Sequence, residues 1–357
     1  MKFSKAFFND IRELIRSART TVARGVDLVQ VHTNFEIGRR IVEQEQKGKG
    51  RAAYGEEVLK VLAERLTGEF GNGFSRSNLE YMRRFYLLYQ KRALISRSAT
   101  GKLGSMKKSR SLTGKLGQPC LFNLSWTHYV CLLGIKDSNE RSFYEIESAA
   151  QNWTVRELKR QFDSSLYERL ALSRNKKDIH KLAFEGHRIT QSKDLMKEPL
   201  VLEFLGLSEK SRYSESDLET AIINQIEHFL LELGKGFLFE ARQKRFTFGE
   251  DHFFVDLVFY NRLLRCYVLI DLKIGKLSHQ DLGQMQMYVN YFDRSVKADN
   301  ENATIGIVLC KKKHEAMVKI TLPKDANIHA REYQLYLPSK EELRRKLVEW
   351  ATEAGDE

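Results

Sequence analysis

The chain has 357 residues, 42% of them hydrophobic, with a formal net charge of +12 and a pI near 9.4. This length suggests two domains, and the positive excess suits a polyanionic partner, without separating nucleic acid from an anionic membrane surface. No run approaches the roughly 18 apolar residues needed to span a bilayer, and neither the four cysteines nor the nine histidines show C-x-x-C, H-x-x-x-H or H-E-x-x-H spacing, which argues against a zinc site.

The N-terminus, MKFSKAFFNDIRELIRSART, is charged throughout and lacks the apolar segment of a signal peptide. With the cysteines read as reduced thiols, the expectation is a cytoplasmic protein with no membrane partner. Residues 1 to about 90 carry helical periodicity. Phe3, Phe7, Ile11, Leu14 and Ile15 form one stripe, and Leu28, Val31, Phe35, Ile37 and Ile41 a second. Lys47-Gly48-Lys49-Gly50 is a loop without the pattern of a P-loop. A third helix is predicted from Glu56 to Phe70, then a Gly71-Asn72-Gly73 turn. Ser75 or Ser77 can cap the next helix, which carries Arg76, Arg83, Arg84, Lys91 and Arg92. This helix-turn-helix-like pair suits a DNA-recognition helix, with Arg83 and Arg84 as contacts. A core helix with a solvated basic face looks the same and is the commoner case.

No acidic residue falls between Glu80 and Asp137. Inside that span a basic, low-complexity insertion at about 97–119 contains TGKLG twice, at Thr100 and Thr113. It suits either a surface insertion or a segment touching phosphates. Helices are expected behind Ser125, from Ser142 to Ala150 and from Val155 to Leu172, with Trp153 in the core. Polar residues 173–199 are predicted to link a helical domain, 1–172, to a second domain, 200–357.

The second domain opens with a predicted helix, Asp217 to Leu233, on which Glu219 can face inward. Ser216-x-x-Glu219 also has capping-box spacing. A basic strand, Phe237 to Phe248, carries Arg242 and Lys244, which could lie beside a phosphate backbone or be ordinary half-exposed residues. Then comes FFVDLVFYNRLLRCYVLIDLK, Phe253 to Lys273, two apolar strands around a polar turn. Asp256 interrupts the first, and Asp271 and Lys273 share one face of the second. An ionised carboxylate in an apolar strand costs several kcal/mol unless compensated. Two carboxylates and an ammonium at one place imply an ion-pair network or a bound cation, and hard oxygen ligands suit Mg²⁺ or Mn²⁺. Downstream, Gln284 and Tyr288 lie on one face of a helix starting at Ser278. The run Thr304 to Cys310 reads as a buried strand, with another strand at Tyr333 to Leu337 and a closing helix from Glu341.

The order helix, three strands, helix, strand, with the spacing D-x14-D-x-K, resembles the PD-(D/E)XK nuclease superfamily. Gln284-x-x-x-Tyr288 is similar to the motif of its RecB-like branch. LELGKGFLFEARQKRF, VDLVFYNRLLRCYVLIDLK and LGQMQMYVNYFDR, with the upstream LSWTHY and WTVRELKRQFDSSLYERL, resemble the YhcG-type bacterial family. The resemblance implies an α+β protein, with a mostly helical N-terminal domain and an α/β restriction-endonuclease-like C-terminal domain of αβββαβ order. It implies Asp256 and Asp271 as metal ligands, Lys273 beside the attacking water, Glu219 as the helix carboxylate and further metal ligand, and Gln284 and Tyr288 as the Gln–Tyr pair. Asp at 271 stands where the commoner pattern has Glu.

These residues point to a metal-dependent nuclease acting on DNA, in genome defence with partner proteins or in DNA processing; cutting both strands favours a homodimer. Two readings stay open beside it. One is a catalytically inactive nuclease fold that binds DNA or proteins. The other is a transcription regulator acting through its N-terminal domain.

Overall fold

The structure is a computed structural model that describes residues 27–46, 52–100, 122–172, 176–195, 197, 199–207, 213–323, 326–341, 343 and 345. The first apolar stripe, the Lys47–Gly50 loop, residues 101–119 of the insertion and most of the closing helix lie outside these residues. The chain divides into two units, Met1–Arg141 with Ser148–Val155, and Ser142–Glu147 with Arg156–Glu357.

The first unit is helical. α1 spans residues 27–46, α2 Ala52–Phe70, α3 Arg76–Thr100 and α4 Trp126–Leu132. α5, Ser138–Gln151, contributes residues to both units. Gly71 and Gly73 hold φ of 79° and 118° in the α2–α3 turn, where a side chain would be strained. The Ser75 hydroxyl then accepts from Asn78 N at the start of α3. Gly38 lets α1 approach α3, because a Cβ there would meet the Met82 carbonyl oxygen at 2.0 Å. Phe35, Phe85, Phe122 and Tyr129 form the aromatic core between these helices, with centroids 4.8–5.8 Å apart.

The second unit is built on a six-stranded sheet. Its strands are β1 Leu200–Val201, β2 Phe237–Phe248, β3 Asp251–Asn261, β4 Cys266–Leu272, β5 Ile305–Cys310 and β6 Ile328–Gln334, in the order β1-β6-β5-β4-β3-β2. β2, β3 and β4 run antiparallel, while β4, β5, β6 and β1 run parallel. β4 and β5 are buried on both faces, as near-continuous apolar runs require. The helices ahead of β2 are α6 Val155–Asp163, α7 Leu166–Leu172, α8 Lys176–Glu185, α9 Glu215–Asn224 and α10 Ile226–Leu233; α11 His279–Ser295 and α12 Glu315–Thr321 follow later in the chain. Leu218, Ile222 and Phe229 of α9 and α10 pack on one sheet face with Leu257, Phe259 and Ile270. Leu282, Met285 and Phe292 of α11 pack on the other with Val255, Val258 and Leu269.

Four local expectations change. The helix expected at 217–233 breaks at Gln225, whose φ of −120° and ψ of 32° leave the helical region. The capping box is Ser214 with Asp217, two residues earlier than Ser216 with Glu219, and this frees Glu219 to point inward. The last strand is Ile328–Gln334, because its partner β5 fixes the register from Gly306↔Ile328 onward. The polar stretch 173–199 contains α8 and a short 3-10 turn, Ser192–Leu195. Its polar residues are used inside, since His187 and Lys197 are buried.

Candidate active site

β3 leaves β4 at Asp256. The last ladder pair between them is Leu257↔Ile270. Beyond it the Leu272 amide donates to Asp256 Oδ2 at 2.8 Å, so a carboxylate replaces the strand as acceptor. The alternation of β3 breaks at the same place. Val255 and Val258 both pack on the α11 side, while Leu257 packs on the other. A splayed pair of strands therefore carries the two aspartates of the apolar stretch to one notch in the sheet.

Asp271, within β4, and Lys273, one residue past its end, sit on the same side, as period two requires. Lys273 Nζ lies 2.9 Å from Asp271 Oδ2 and 3.5 Å from Glu215 Oε2. Asp271 Oδ2 is itself buried, with the Lys273 ammonium beside it. Burial, reinforced by the Asp256 charge, pushes the Asp271 carboxyl up to about 7. Burial also raises Asp256, against the Leu272 amide and the Gln243 side chain. Burial works against the Lys273 ammonium, but the Asp271 and Glu215 carboxylates outweigh it and hold the group above its ordinary range. Two carboxylates that resist joint ionisation, with a cation beside them, attract a further positive charge.

Gln243 is a member of this site that sequence reasoning missed. It stands opposite Asp256 on β2 and donates to Asp256 Oδ1 at 3.0 Å and to Glu219 Oε2 at 2.6 Å. Its φ of 48° is left-handed, unusual for a residue with a side chain, and coincides with a gap in the β2–β3 ladder between Arg242↔Leu257 and Lys244↔Val255. Only the hairpin register, absent from a one-dimensional reading, could have flagged it. Glu219 is buried on α9, and its second oxygen accepts from Arg242. Both Glu219 oxygens are thus engaged by protein donors, and the residue joins the site through Gln243.

Gln284 and Tyr288 meet on α11, where the Gln284 amide donates to the Tyr288 hydroxyl. Tyr288 is buried and lies edge-on to Phe246 of β2 at 5.4 Å. Burial raises its phenol, the Gln284 bond works against that, and the Asp271 and Asp256 charges add to the rise. The basic residues expected at DNA have partners within the protein. Arg83 pairs with Glu45 at 2.8 Å and with Glu80 at 3.3 Å, Arg84 donates to the Leu133 carbonyl, Arg242 binds Glu219, and Lys244 lies 3.6 Å from Glu240.

Residues 193–348 match the YhcG PDDEXK nuclease domain, and residues 10–169 match the DUF1016 N-terminal domain. YhcG of Escherichia coli (strain K12) is 40% identical over 354 residues, covering 95% of this chain and 92% of that protein. The chain belongs to the YhcG family. Two solved structures align with parts of this YhcG-family chain at a TM-score of 0.25. One is a repair endonuclease from Pyrococcus abyssi, 19% identical over 37% of this chain and 50% of that one. The other is a structure of an EndoMS–dsDNA2 complex, 14% identical over 38% of this chain and 51% of that one.

Nucleases of this superfamily pattern use divalent metal, and the donors present can be tested against one. Asp256 and Asp271 offer hard oxygen ligands, with Asp271 buried and its Oδ2 2.9 Å from the Lys273 ammonium. That set fits a divalent cation held by two carboxylates. Among the described residues no group of three or more His, Cys, Asp or Glu side chains gathers as a metal cluster, consistent with Glu219 being taken by Arg242 and Gln243.

Proposed function

We propose that this YhcG-family chain is a divalent-metal-dependent nuclease that hydrolyses phosphodiester bonds in DNA. The observation that carries the reading is the meeting of Asp256, Asp271 and Lys273 in one notch of the sheet, with Asp271 raised to about 7 by burial and by its neighbour. Asp256 and Asp271 would hold Mg²⁺ or Mn²⁺. When bound, that cation supplies Lewis acidity toward a phosphoryl oxygen and lowers the pKa of water. Lys273 places a fixed positive charge where negative charge develops on the phosphoryl oxygens. Gln243 and Glu219 fix the orientation of Asp256, while Gln284 and Tyr288, bonded to each other on α11, would position the attacking water or the scissile strand. The net charge of +12 supports a nucleic-acid substrate. Its setting is DNA processing or genome defence, in the cytoplasm. The helices of the first unit serve as a further DNA-binding region.

A second reading rests on the engaged oxygens of Glu219. With one carboxylate fewer for metal, the fold would bind DNA without cutting it. Supercoiled plasmid separates the two readings. The expected result is nicking with Mg²⁺ or Mn²⁺, none with EDTA, and binding without cleavage with Ca²⁺. Asp271→Ala and Lys273→Ala should fold normally and lose cleavage; either variant cutting at the wild-type rate removes the assignment, and an inert wild type leaves the binding reading. Equal cleavage of RNA would correct the substrate.

A further inference from the structure

The pairing of β4 with β5 does not stop where the strands end. Lys273 N donates to the Leu309 carbonyl at 2.7 Å, Lys311 N to the Gly275 carbonyl at 3.1 Å, and Leu277 N to the Lys312 carbonyl at 3.0 Å. These bonds zip residues 273–277 to residues 309–312 and set Lys276 directly beside Lys312 in a parallel bridge. Both side chains are exposed, and among the described residues neither has a carboxylate partner. Two neighbouring lysines of this edge are engaged. Lys273 is held by Asp271 and Glu215, and Lys311 lies over the Tyr213 ring at 4.7 Å.

Like charges set side by side across a ladder destabilise the fold that holds them. Lys276 and Lys312 are such a pair on backbone fixed by three hydrogen bonds, and Lys276 lies three residues beyond Lys273 along the chain. The carboxyl ends of parallel strands are where open α/β sheets present their ligand sites. Gly275, between Lys273 and Lys276, has open space where a Cβ would point, so an elongated anion can approach the backbone there. The Arg and Lys side chains that the sequence marks for DNA, by contrast, all have partners within the protein.

We infer that Lys276 and Lys312 form a phosphate-backbone rail that holds the DNA strand running out of the carboxylate notch. The inference rests on the nuclease reading for its substrate, and it names the part of the surface that grips the substrate. Side chains used in this way neutralise phosphates and release counterions, and they carry no base preference.

The test is equilibrium binding of a fluorescein-labelled 25-base-pair duplex to the full chain in Ca²⁺, followed by anisotropy from low to moderate salt. Lys276→Ala/Lys312→Ala should flatten the slope of log K against log salt by about 2, at roughly 0.9 for each phosphate left without its cation, and weaken binding roughly tenfold at about 0.1 M salt. Its melting temperature should equal or exceed that of the wild type, because the repulsion is relieved. Lys276→Arg/Lys312→Arg should keep the wild-type slope. Equal slopes for the wild type and the alanine variant overturn the rail, whatever the cleavage assay shows. A wild type that binds with a steep slope flattened by the alanine changes, yet never cuts, removes the nuclease reading and leaves the rail standing. A wild type that binds no DNA overturns both.

Discussion

Gln243 and Asp256 face each other across the β2–β3 hairpin, and the Gln243 amide joins Asp256 to Glu219 at 3.0 and 2.6 Å. One neutral side chain thereby separates two carboxylates and fixes the orientation of each. Outer partners of this sort typically matter about 10–100-fold for metal affinity or activity. Gln243→Ala should weaken Mn²⁺ binding by about that factor, read by electron paramagnetic resonance of free Mn²⁺. Gln243→Glu should be worse at neutral pH, since it sets a third carboxylate between the other two. Wild-type Mn²⁺ affinity in both variants would reduce Gln243 to a bystander.

The contrast between Gln243 and its neighbours shows what the linear sequence carries. Asp271 and Lys273 are legible because strand period two fixes their common face, and the apolar runs around them admit little but buried strands. Asp256 is legible as a charge out of place in such a run. Gln243 has no such mark, since its role comes from standing opposite Asp256 in a hairpin whose register depends on where the turn falls. The same limit explains Arg83 and Arg84. Their helical spacing exposes a basic face, but Glu45, 38 residues upstream of Arg83, becomes its partner only when α1 packs on α3. Periodicity turns Glu219 inward, while the Arg242 that occupies it comes from another element. The break at Gln225 leaves no Pro or Gly signal at all, which is why the sequence reads as one helix where two form.

Asp271 gives the fold a pH dependence of its own. Its carboxyl is raised from 3.8 to about 7 in the folded chain, by burial first and by the Asp256 charge second. The folded state therefore holds the proton more tightly than the unfolded state. The associated stability is complete below about pH 4 and is lost as pH rises toward about 7, on the order of a few kcal/mol. In EDTA, Asp271→Asn should melt higher than wild type at about pH 8, and the difference should shrink toward about pH 4. Divalent metal should raise the wild-type melting temperature more at the alkaline end than near pH ~5, and should do little for the variant. Differential scanning calorimetry across this range checks both, and a variant less stable than wild type at the alkaline end would contradict the assignment.

Tyr288 separates packing from chemistry. Its ring is buried edge-on against Phe246, which stacks on Tyr291 with centroids 4.2 Å apart, so the phenylalanine variant keeps the apolar contacts. What Tyr288→Phe removes is the hydroxyl that accepts from Gln284. The variant should melt within a few degrees of wild type, bind DNA in Ca²⁺ unchanged, and cut at least about tenfold more slowly. Gln284→Ala should show a similar split. Loss of binding together with cleavage would instead mark the pair as part of the DNA surface.

Glu232 tests how the sheet is anchored to the helices before it. Its side chain is fully buried and accepts from Arg169 and Arg160 side chains and from the Val201 amide, while Lys197 donates to its backbone carbonyl. Burial alone would raise this carboxyl, but the charges of Arg169, Lys197 and Arg160 overcome it and hold it far below the usual range. Removing that one anion takes the shared carboxylate from buried Arg169 and Lys197, while Arg160 keeps Glu203, and breaking buried pairs of this kind costs about 3–5 kcal/mol. Glu232→Gln keeps the shape and loses the charge, so it isolates the electrostatic part. Urea unfolding of the full chain, followed by circular dichroism, should show its midpoint fall sharply. Arg160→Met should cost less, because Arg160 is nearer the surface and Arg169 and Lys197 still face Glu232. A Glu232→Gln midpoint equal to wild type would mean that neutral hydrogen bonding suffices there and that the charges contribute no net stability.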